Sequence, residues 1–307
     1  MSVDARTVKQ LRDRTGAGMM DCKRALSETD GDLDAAVALL REKGLASAAK
    51  KAGRVAAEGA VGIFTSDDRS RAVVLELNCE TDFVAKNDAF QALVVTVGQA
   101  LLADDGKDSG TGEDVADLTV ADGQKLSDLL TASIASIGEN IGLRRFTRVT
   151  ASDGRMGSYV HAGGKIGVIV EIKGATAEHD DLARSLAMQV AAAMPRCVRR
   201  DEVNAAELDA EREIFRNQAL ASGKPEKVVD RIVDGKVEKF YREICLLEQE
   251  YVRDSQLTVQ KLLEQTGKEA GTDLSIERFV RYQLGEGIER KEANLAAEVA
   301  EQLGRSS

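Results

Sequence analysis

Residues 71–86 read RAVVLELNCETDFVAK, and the fold turns on where this stretch changes period. Val73, Leu75 and Leu77 recur every second residue, as in a strand with one face on a core. The alternation stops at Asn78-Cys79, polar residues follow, and Phe83 stands directly after the acid Asp82. Upstream, Val61 and Ile63 keep the same period. The turn-forming run Ser66-Asp67-Asp68-Arg69-Ser70 separates the two stretches, which predicts a hairpin. Downstream, Thr81 to Asn87 leads into a helix expected from Asp88 to Leu102. A second hairpin-then-helix is expected at Gly157–Val160, Ile166–Ile172 and Asp181–Met194. Pairing Leu75 with Val168 and Asp88 with Asp180 suggests an internally duplicated core.

The flanking regions read as helical. Val8, Leu11 and Arg12 follow helical spacing, Thr15-Gly16-Ala17-Gly18 breaks it, and Met19 to Glu28 resumes it. A third helix is expected after Asp30-Gly31, with Asp32 as N-cap, Leu33, Val37 and Leu40 as its apolar stripe, and Gly44 at its C-cap. Residues 46–54 (ASAAKKAGR) then read as a basic linker. Further on, Leu208, Phe215 and Ala219 mark one helix and Ser222-Gly223-Lys224-Pro225 a turn. Val229, Val233, Val237, Phe240, Ile244 and Leu247 form a narrow seam on a second helix. This hairpin reads equally as an intramolecular strut or as an association arm. A short helix at Val259–Glu264, a strand near Ile276–Leu284 and a last helix at Ile288–Leu303 complete an α+β chain. Residues 104–114 (DDGKDSGTGED) are expected to be mobile.

Composition excludes several kinds of chemistry. The chain has 307 residues, 52 of them acidic and 42 basic, for a net charge of −10. Residues 1–54 hold eleven basic against eight acidic side chains, a net of +3, which leaves −13 for the rest. Such a balance disfavours a chain-wide nucleic-acid groove. Two histidines cannot build a multi-His metal cage, and seven Phe, four Tyr and no Trp supply few platforms for stacked bases. The four cysteines, Cys22, Cys79, Cys197 and Cys245, are scattered without a CxxC and read as free buried thiols. No apolar run approaches the ~18 residues of a membrane span, and the charged residues 1–16 hold no signal-like core, so a cytoplasmic protein is expected.

Few motifs remain to carry a function. Gly16-Ala17-Gly18 and Gly163-Gly164-Lys165 lack the spacing of phosphate-binding loops and read as turns. His161 has no nearby Ser or Cys nucleophile. The clusters Lys50-Lys51-Arg54, Arg144-Arg145-Arg148 and Arg196-Arg199-Arg200 read as solvated faces or as sites for RNA or an acidic protein. In Glu76–Lys86, chemistry alone leaves two readings open. Asp82 is a helix cap with Phe83 stapled into the core, or the pair is an exposed contact on a loop held by a rigid scaffold.

The same residues carry a resemblance. ELNCETDFVAK (76–86), together with LRDRTGAGMMDCKRAL (11–26), is similar to the bacterial elongation factor Ts family, the guanine nucleotide exchange factors of elongation factor Tu. Lys50-Lys51-Ala52-Gly53, Ile137-Gly138-Glu139-Asn140, Gly157-Ser158-Tyr159, Ser222-Gly223-Lys224-Pro225 and FVRYQLGEGIE (279–289) extend the likeness over nearly the whole chain. It departs mainly in residues 104–124.

The resemblance implies a ubiquitin-associated-like N-terminal module with linker at 1–54 and a core N-subdomain at 55–142. A core C-subdomain at 143–200 and 251–284 would follow, with a coiled-coil module at 201–250 used by some relatives for dimerisation, and a C-terminal module at 285–307. It implies elongation factor Tu as partner, no cofactor, no metal of its own, no covalent catalysis, no membrane and no direct nucleic-acid contact. Thr81, Asp82, Phe83 and Val84 would disturb the partner's Mg²⁺ and phosphate site. Arg12, Met19, Met20 and Lys23 would contact its G domain, although Met19 and Met20 read from spacing alone as bundle core. Ile137, Gly138, His161 and Val252 would complete the contact. The competing reading is a translation-associated scaffold or RNA-contacting protein without exchange activity.

Overall fold

The computed structural model describes residues 3–120 and 123–289. The expected last helix falls at 290–303 for nearly all its length, outside the described residues.

Three helices come first, α1 (Ala5–Thr15), α2 (Met19–Glu28) and α3 (Leu33–Lys51). Gly16 ends α1 at φ 68°, and the Asp32 carboxylate caps α3 by accepting from Asp34 N and Ala35 N. Val8, Leu11, Cys22, Ala25, Leu26 and Ala36 fill the space between them. Gly44, expected at a C-cap, instead lies inside α3, which runs on through most of the expected linker to Lys51. It lies against α6 (Leu126–Ile137), where an added Cβ would meet Ala135 and Thr131 at 3.7 Å. The Arg41–Asp128 ion pair and a hydrogen bond from Lys51 Nζ to Ile134 O fasten the same contact. The glycine thus serves helix packing rather than termination.

The body has two antiparallel sheets packed face to face with helices on their outer sides. The first has the order β1 (Glu58–Thr65), β2 (Arg71–Cys79), β4 (Gly142–Thr150), β3 (Ser109–Gly110). The second has the order β5 (Gly154–His161), β6 (Ile166–Lys173), β9 (Ser275–Gln283). Val73, Leu75 and Leu77 of β2 face α5 (Asp88–Ala103), where Phe90, Val94 and Val97 cover them. Val168, Val170 and Ile172 of β6 face α7 (Asp180–Ala193) and α10 (Val259–Ala270). The inner faces meet through Val61, Ala72, Val74 and Val149 against Met156, Ile169 and Tyr282. Chain order brings hairpin, helix and closing strand in both halves. Because β4 pairs with β2, the expected boundary between residues 142 and 143 would separate this strand from its own sheet. The stretch 104–114, expected as a loose connector, contributes β3 to that sheet's edge.

The sheets repeat particular residues. Gly59 and Gly154 have φ of 137° and 143°, and at each an added Cβ would lie 2.1 Å from a carbonyl of the neighbouring strand. Glu76 pairs with Arg145 across β2 and β4, Glu171 pairs with Arg278 across β6 and β9, and a register shift follows each glutamate. These landmarks match Leu75 to Val170 rather than to Val168, since the register is set by the bulge and not by periodicity alone.

Helices α8 (Ala205–Ala221) and α9 (Glu226–Ile244) form the hairpin. Val229, Val233 and Val237 are buried against Ala219, Leu208 and Phe215 of the same chain. Its base is bound to the body by Arg196 N to Ile244 O and Leu246 N to Cys197 O. Two short strands, β7 (Glu250–Tyr251) and β8 (Asp254–Thr258), follow. All four cysteines are free thiols.

Two glycines give opposite expectations. A Cβ at Gly157 would sit 2.1 Å from the backbone oxygen of Ala183 in α7, so Gly157→Ala should cost about 3 kcal/mol by overpacking. Gly235 lies inside α9 with nothing near its missing Cβ, so Gly235→Ala should add about 1 kcal/mol. Urea unfolding of both variants checks the signs.

Candidate functional site

Strand β2 delivers the chain to the edge of the first sheet at Cys79, and one short helix, α4 (Asp82–Ala85), follows at once. Thr81 is its N-cap, accepting from Val84 N at 3.3 Å, and Asp82 is the first helical residue. Val84 and Ala85 pack on the core of the first sheet. Phe83 points away from that core and is 83% exposed. The staple reading of Phe83 is therefore replaced, because helical geometry turns Val84 and Ala85 inward and leaves the ring outside.

A second loop supports this one. Helix α6 ends at Gly138, whose φ of 93° turns the chain so that Glu139 faces α4's cap. Oε2 of Glu139 accepts from Glu80 N and Thr81 N, both at 3.0 Å, and Oε1 accepts from the Thr81 hydroxyl at 2.6 Å. Oε1 of Glu80 accepts from Asn140 N at 2.6 Å, and Asn140 Nδ2 donates to Arg54 O at 2.9 Å. Beneath the loop, burial first and the Glu139 charge second push the Cys79 thiol up to about 12. In the sequence, Glu139 stands out only as part of the resemblance. A carboxylate spent on backbone N–H groups of a distant loop leaves no periodic signal.

Other singled-out residues lie at varying removes from Phe83. Half-buried Ile137 and exposed Gly138 join its loop through Glu139. Exposed His161 ends β5 and shares a 2.9 Å hydrogen bond with the Tyr159 hydroxyl. The turn after it docks on β1 through Val61 N to Gly164 O. Met19 and Met20, at 51% and 63% exposed, stand outside the bundle core, and Arg12 and Lys23 are exposed as well. The core reading of these methionines is likewise replaced. Val252, also exposed, projects from the β7–β8 turn, its N–H donating to Gln189 Oε1 at 2.7 Å. Neither the bundle surface nor Val252 adjoins the Phe83 loop through any contact described above.

The arginines of the basic clusters are paired with carboxylates of the same chain, those of the 144–148 cluster half-buried or buried and the others at the surface. Arg144 and Arg145 both bind the buried carboxylate of Glu76, and the buried Arg148 pairs with half-buried Asp104. Arg54 pairs with Glu80, Arg196 with Glu207, Arg199 with Glu202, and Arg200 with Glu238 and Glu248. Among the described residues, no group of three His, Cys, Asp or Glu side chains is arranged to hold a metal ion. No described helix is long and apolar enough to cross a membrane.

A family profile described as "Elongation factor TS" matches residues 80–286, a stretch that begins at Glu80 and includes both clamped loops. The chain belongs to the elongation factor Ts family. It is 49% identical to "Elongation factor Ts" of Clostridium novyi (strain NT), over 99% of each chain. With the protein of the same name from Halothermothrix orenii the identity is 47%, over 99% of this chain and 100% of that one. With that of Clostridium botulinum (strain Alaska E43 / Type E3) it is 46%, over the same shares. The family likeness read from the motifs is thereby borne out, and it runs the length of the chain.

The charge beside Phe83 gives a pH expectation. A hydrogen bond from Lys86 Nζ, 2.7 Å long, is the first cause holding Asp82 below the usual carboxylate range. A folded pKa below the unfolded one means that this pairing contributes above the unfolded pKa and is lost as pH falls through the folded value. Asp82 is then anionic throughout the neutral range. Carbon-detected NMR titration should show the Asp82 midpoint rising in Lys86→Ala, and an unchanged midpoint would contradict the assigned cause.

Proposed function

We propose that this chain is a guanine nucleotide exchange factor acting on elongation factor Tu in the cytoplasm, promoting GDP release without covalent chemistry. The observation that carries the reading is Phe83, a large aromatic exposed beside an anionic carboxylate on a tightly held loop. Exposed aromatics on rigid supports are typical contact hot spots. By the family resemblance, Phe83 wedges beside the partner's nucleotide site while Asp82 disturbs the groups holding Mg²⁺ and phosphate. Thr81 and Val84 act from beneath, as cap and anchor of the short helix. Ile137, Gly138 and His161 extend the contact from the core, and Val252 adds a further segment.

The remaining modules fit as holding surfaces. Residues 1–54 are read as a ubiquitin-associated-like module gripping the partner's G domain with Arg12, Met19, Met20 and Lys23, where methionine suits an adaptable apolar contact. The two hairpin–helix–strand units, with their repeated glycines and Glu–Arg pairs, are read as a duplicated pair of subdomains. The 201–250 coiled-coil module is read as a strut rather than a homodimer arm, because its valine seam is covered by its own α8. RNA contact is the weaker reading, since the arginines it requires are paired internally.

Exchange of this kind is differential binding. A factor that grips nucleotide-free Tu more tightly than the GDP form weakens GDP by the same ratio that GDP weakens it. Accelerating release 10⁴-fold requires lowering the barrier by about 5.5 kcal/mol, more than the roughly 2–4 kcal/mol of a typical single hot spot. Several separated contacts must therefore act together, which accounts for a chain of many modules.

In a fluorescent-GDP release assay, catalytic amounts of the chain should accelerate release from elongation factor Tu. Phe83→Ala should reduce that acceleration about 30-fold, the equivalent of about 2 kcal/mol. Release unchanged by the wild-type chain would refute the exchange reading.

A further inference from the structure

A wedge acts only if its support is stiff, and α4 is a single turn. Isolated helices of this length are not stable in water, so its conformation must be imposed from outside. Two backbone hydrogen bonds, Ala85 N to Thr81 O and Lys86 N to Asp82 O, close its own turn. At its N-terminal end the fastening comes from the loop after α6. The Thr81 hydroxyl donates to Glu139 Oε1 while the same oxygen caps Val84 N, so Glu139 sets the orientation of the cap itself. The other Glu139 oxygen takes the N–H groups of Glu80 and Thr81, and Glu80 returns a carboxylate oxygen to Asn140 N. Each loop thus supplies the acceptor that the other's backbone needs, and charged acceptors make such bonds short and strong.

We propose that Glu139, with Glu80 as its reciprocal partner, is a positioning residue for nucleotide exchange: the clamp fixes the Phe83 loop to the end of α6. This rests on the exchange reading above. Glu139 is spent on the neighbouring loop and acts through Thr81. Its consequence is that Phe83, Ile137 and Gly138 reach the partner as one preformed edge. An unclamped loop must be ordered as it enters the partner, which weakens the contact made during release. The remote surfaces that hold the two proteins together are untouched. The loss therefore belongs to the maximal exchange rate rather than to the concentration giving half of it.

The test uses the full chain and elongation factor Tu loaded with fluorescent GDP. Glu139→Ala should lower the maximal exchange rate about 10–100-fold and change the half-saturating concentration by less than about threefold. Glu139→Gln keeps an oxygen for the two backbone N–H groups and should recover most of the rate. Amide hydrogen exchange supplies a readout independent of activity. The Glu80 and Thr81 amides should exchange faster in Glu139→Ala while those of β2 keep their protection, which also shows that the variant is folded. A wild-type maximal rate in Glu139→Ala, a loss confined to the half-saturating concentration, or a Gln variant no better than Ala would overturn the positioning role. An inactive wild-type chain would instead sink the exchange reading, and the role with it.

Discussion

A carboxylate without access to water sits at the joint between the two sheets. Glu76 is fully buried on the inner face of β2, where its oxygens accept from Arg144 Nη1, Arg145 Nε, Asn78 Nδ2 and the backbone N–H of Gly285. A buried charge is tolerated only when paired and saturated with hydrogen bonds, and these partners come from β2, β4 and the segment after β9. Arg145 also lies 4.1 Å over the Tyr282 ring, so the second sheet's last strand is drawn onto the first. Glu171 with Arg278 repeats the device in the second sheet. The placement of β2 relative to β6, and so of Phe83 relative to His161, follows from this arrangement.

The chain's chemistry is accordingly inward and mechanical. Carboxylates and guanidinium groups that might have served catalysis or RNA binding instead fix loops and strands. Glu76 joins the sheets, Glu139 and Glu80 tie the loops at their edge, and Arg41 with Lys51 tie the N-terminal helices to α6. What faces solvent at the proposed contacts includes four exposed apolar side chains, Phe83, Met19, Met20 and Val252, beside the charged Asp82, Arg12 and Lys23. A protein whose proposed task is to change another protein's conformation needs rigid separation between such points more than it needs reactive groups.

Sequence legibility followed the range of the interactions. Asp32 as cap, Gly16 as break, the hairpins and the valine seam of α9 depend on neighbours within a few residues, and all could be read. Strand β4 could not. Its sequence, GLRRFTRVT, carries three arginines, and only partners far along the chain, Glu76 and Asp104, make them tolerable. Nor does the sequence pattern alone mark helix α6. Gly44 resembles a C-cap locally because its reason lies across a helix contact, and the alternation in β2 understates burial on its other face. At the site, chemistry alone left Phe83 ambiguous and family resemblance singled it out. Its exposure and the clamp that holds it became visible only in three dimensions.

In the proposed exchange reaction a rigidly presented Phe83 enters the nucleotide-free partner. Fluorine NMR of the chain carrying 4-fluorophenylalanine at position 83 addresses this directly. In the free protein the fluorine should give one solvent-sensitive resonance. Nucleotide-free elongation factor Tu should shift it and abolish its sensitivity to exchange of H₂O for D₂O, and added GDP should restore the original signal. A resonance that stays in place and remains solvent-sensitive while the complex forms would show that Phe83 does not enter the partner.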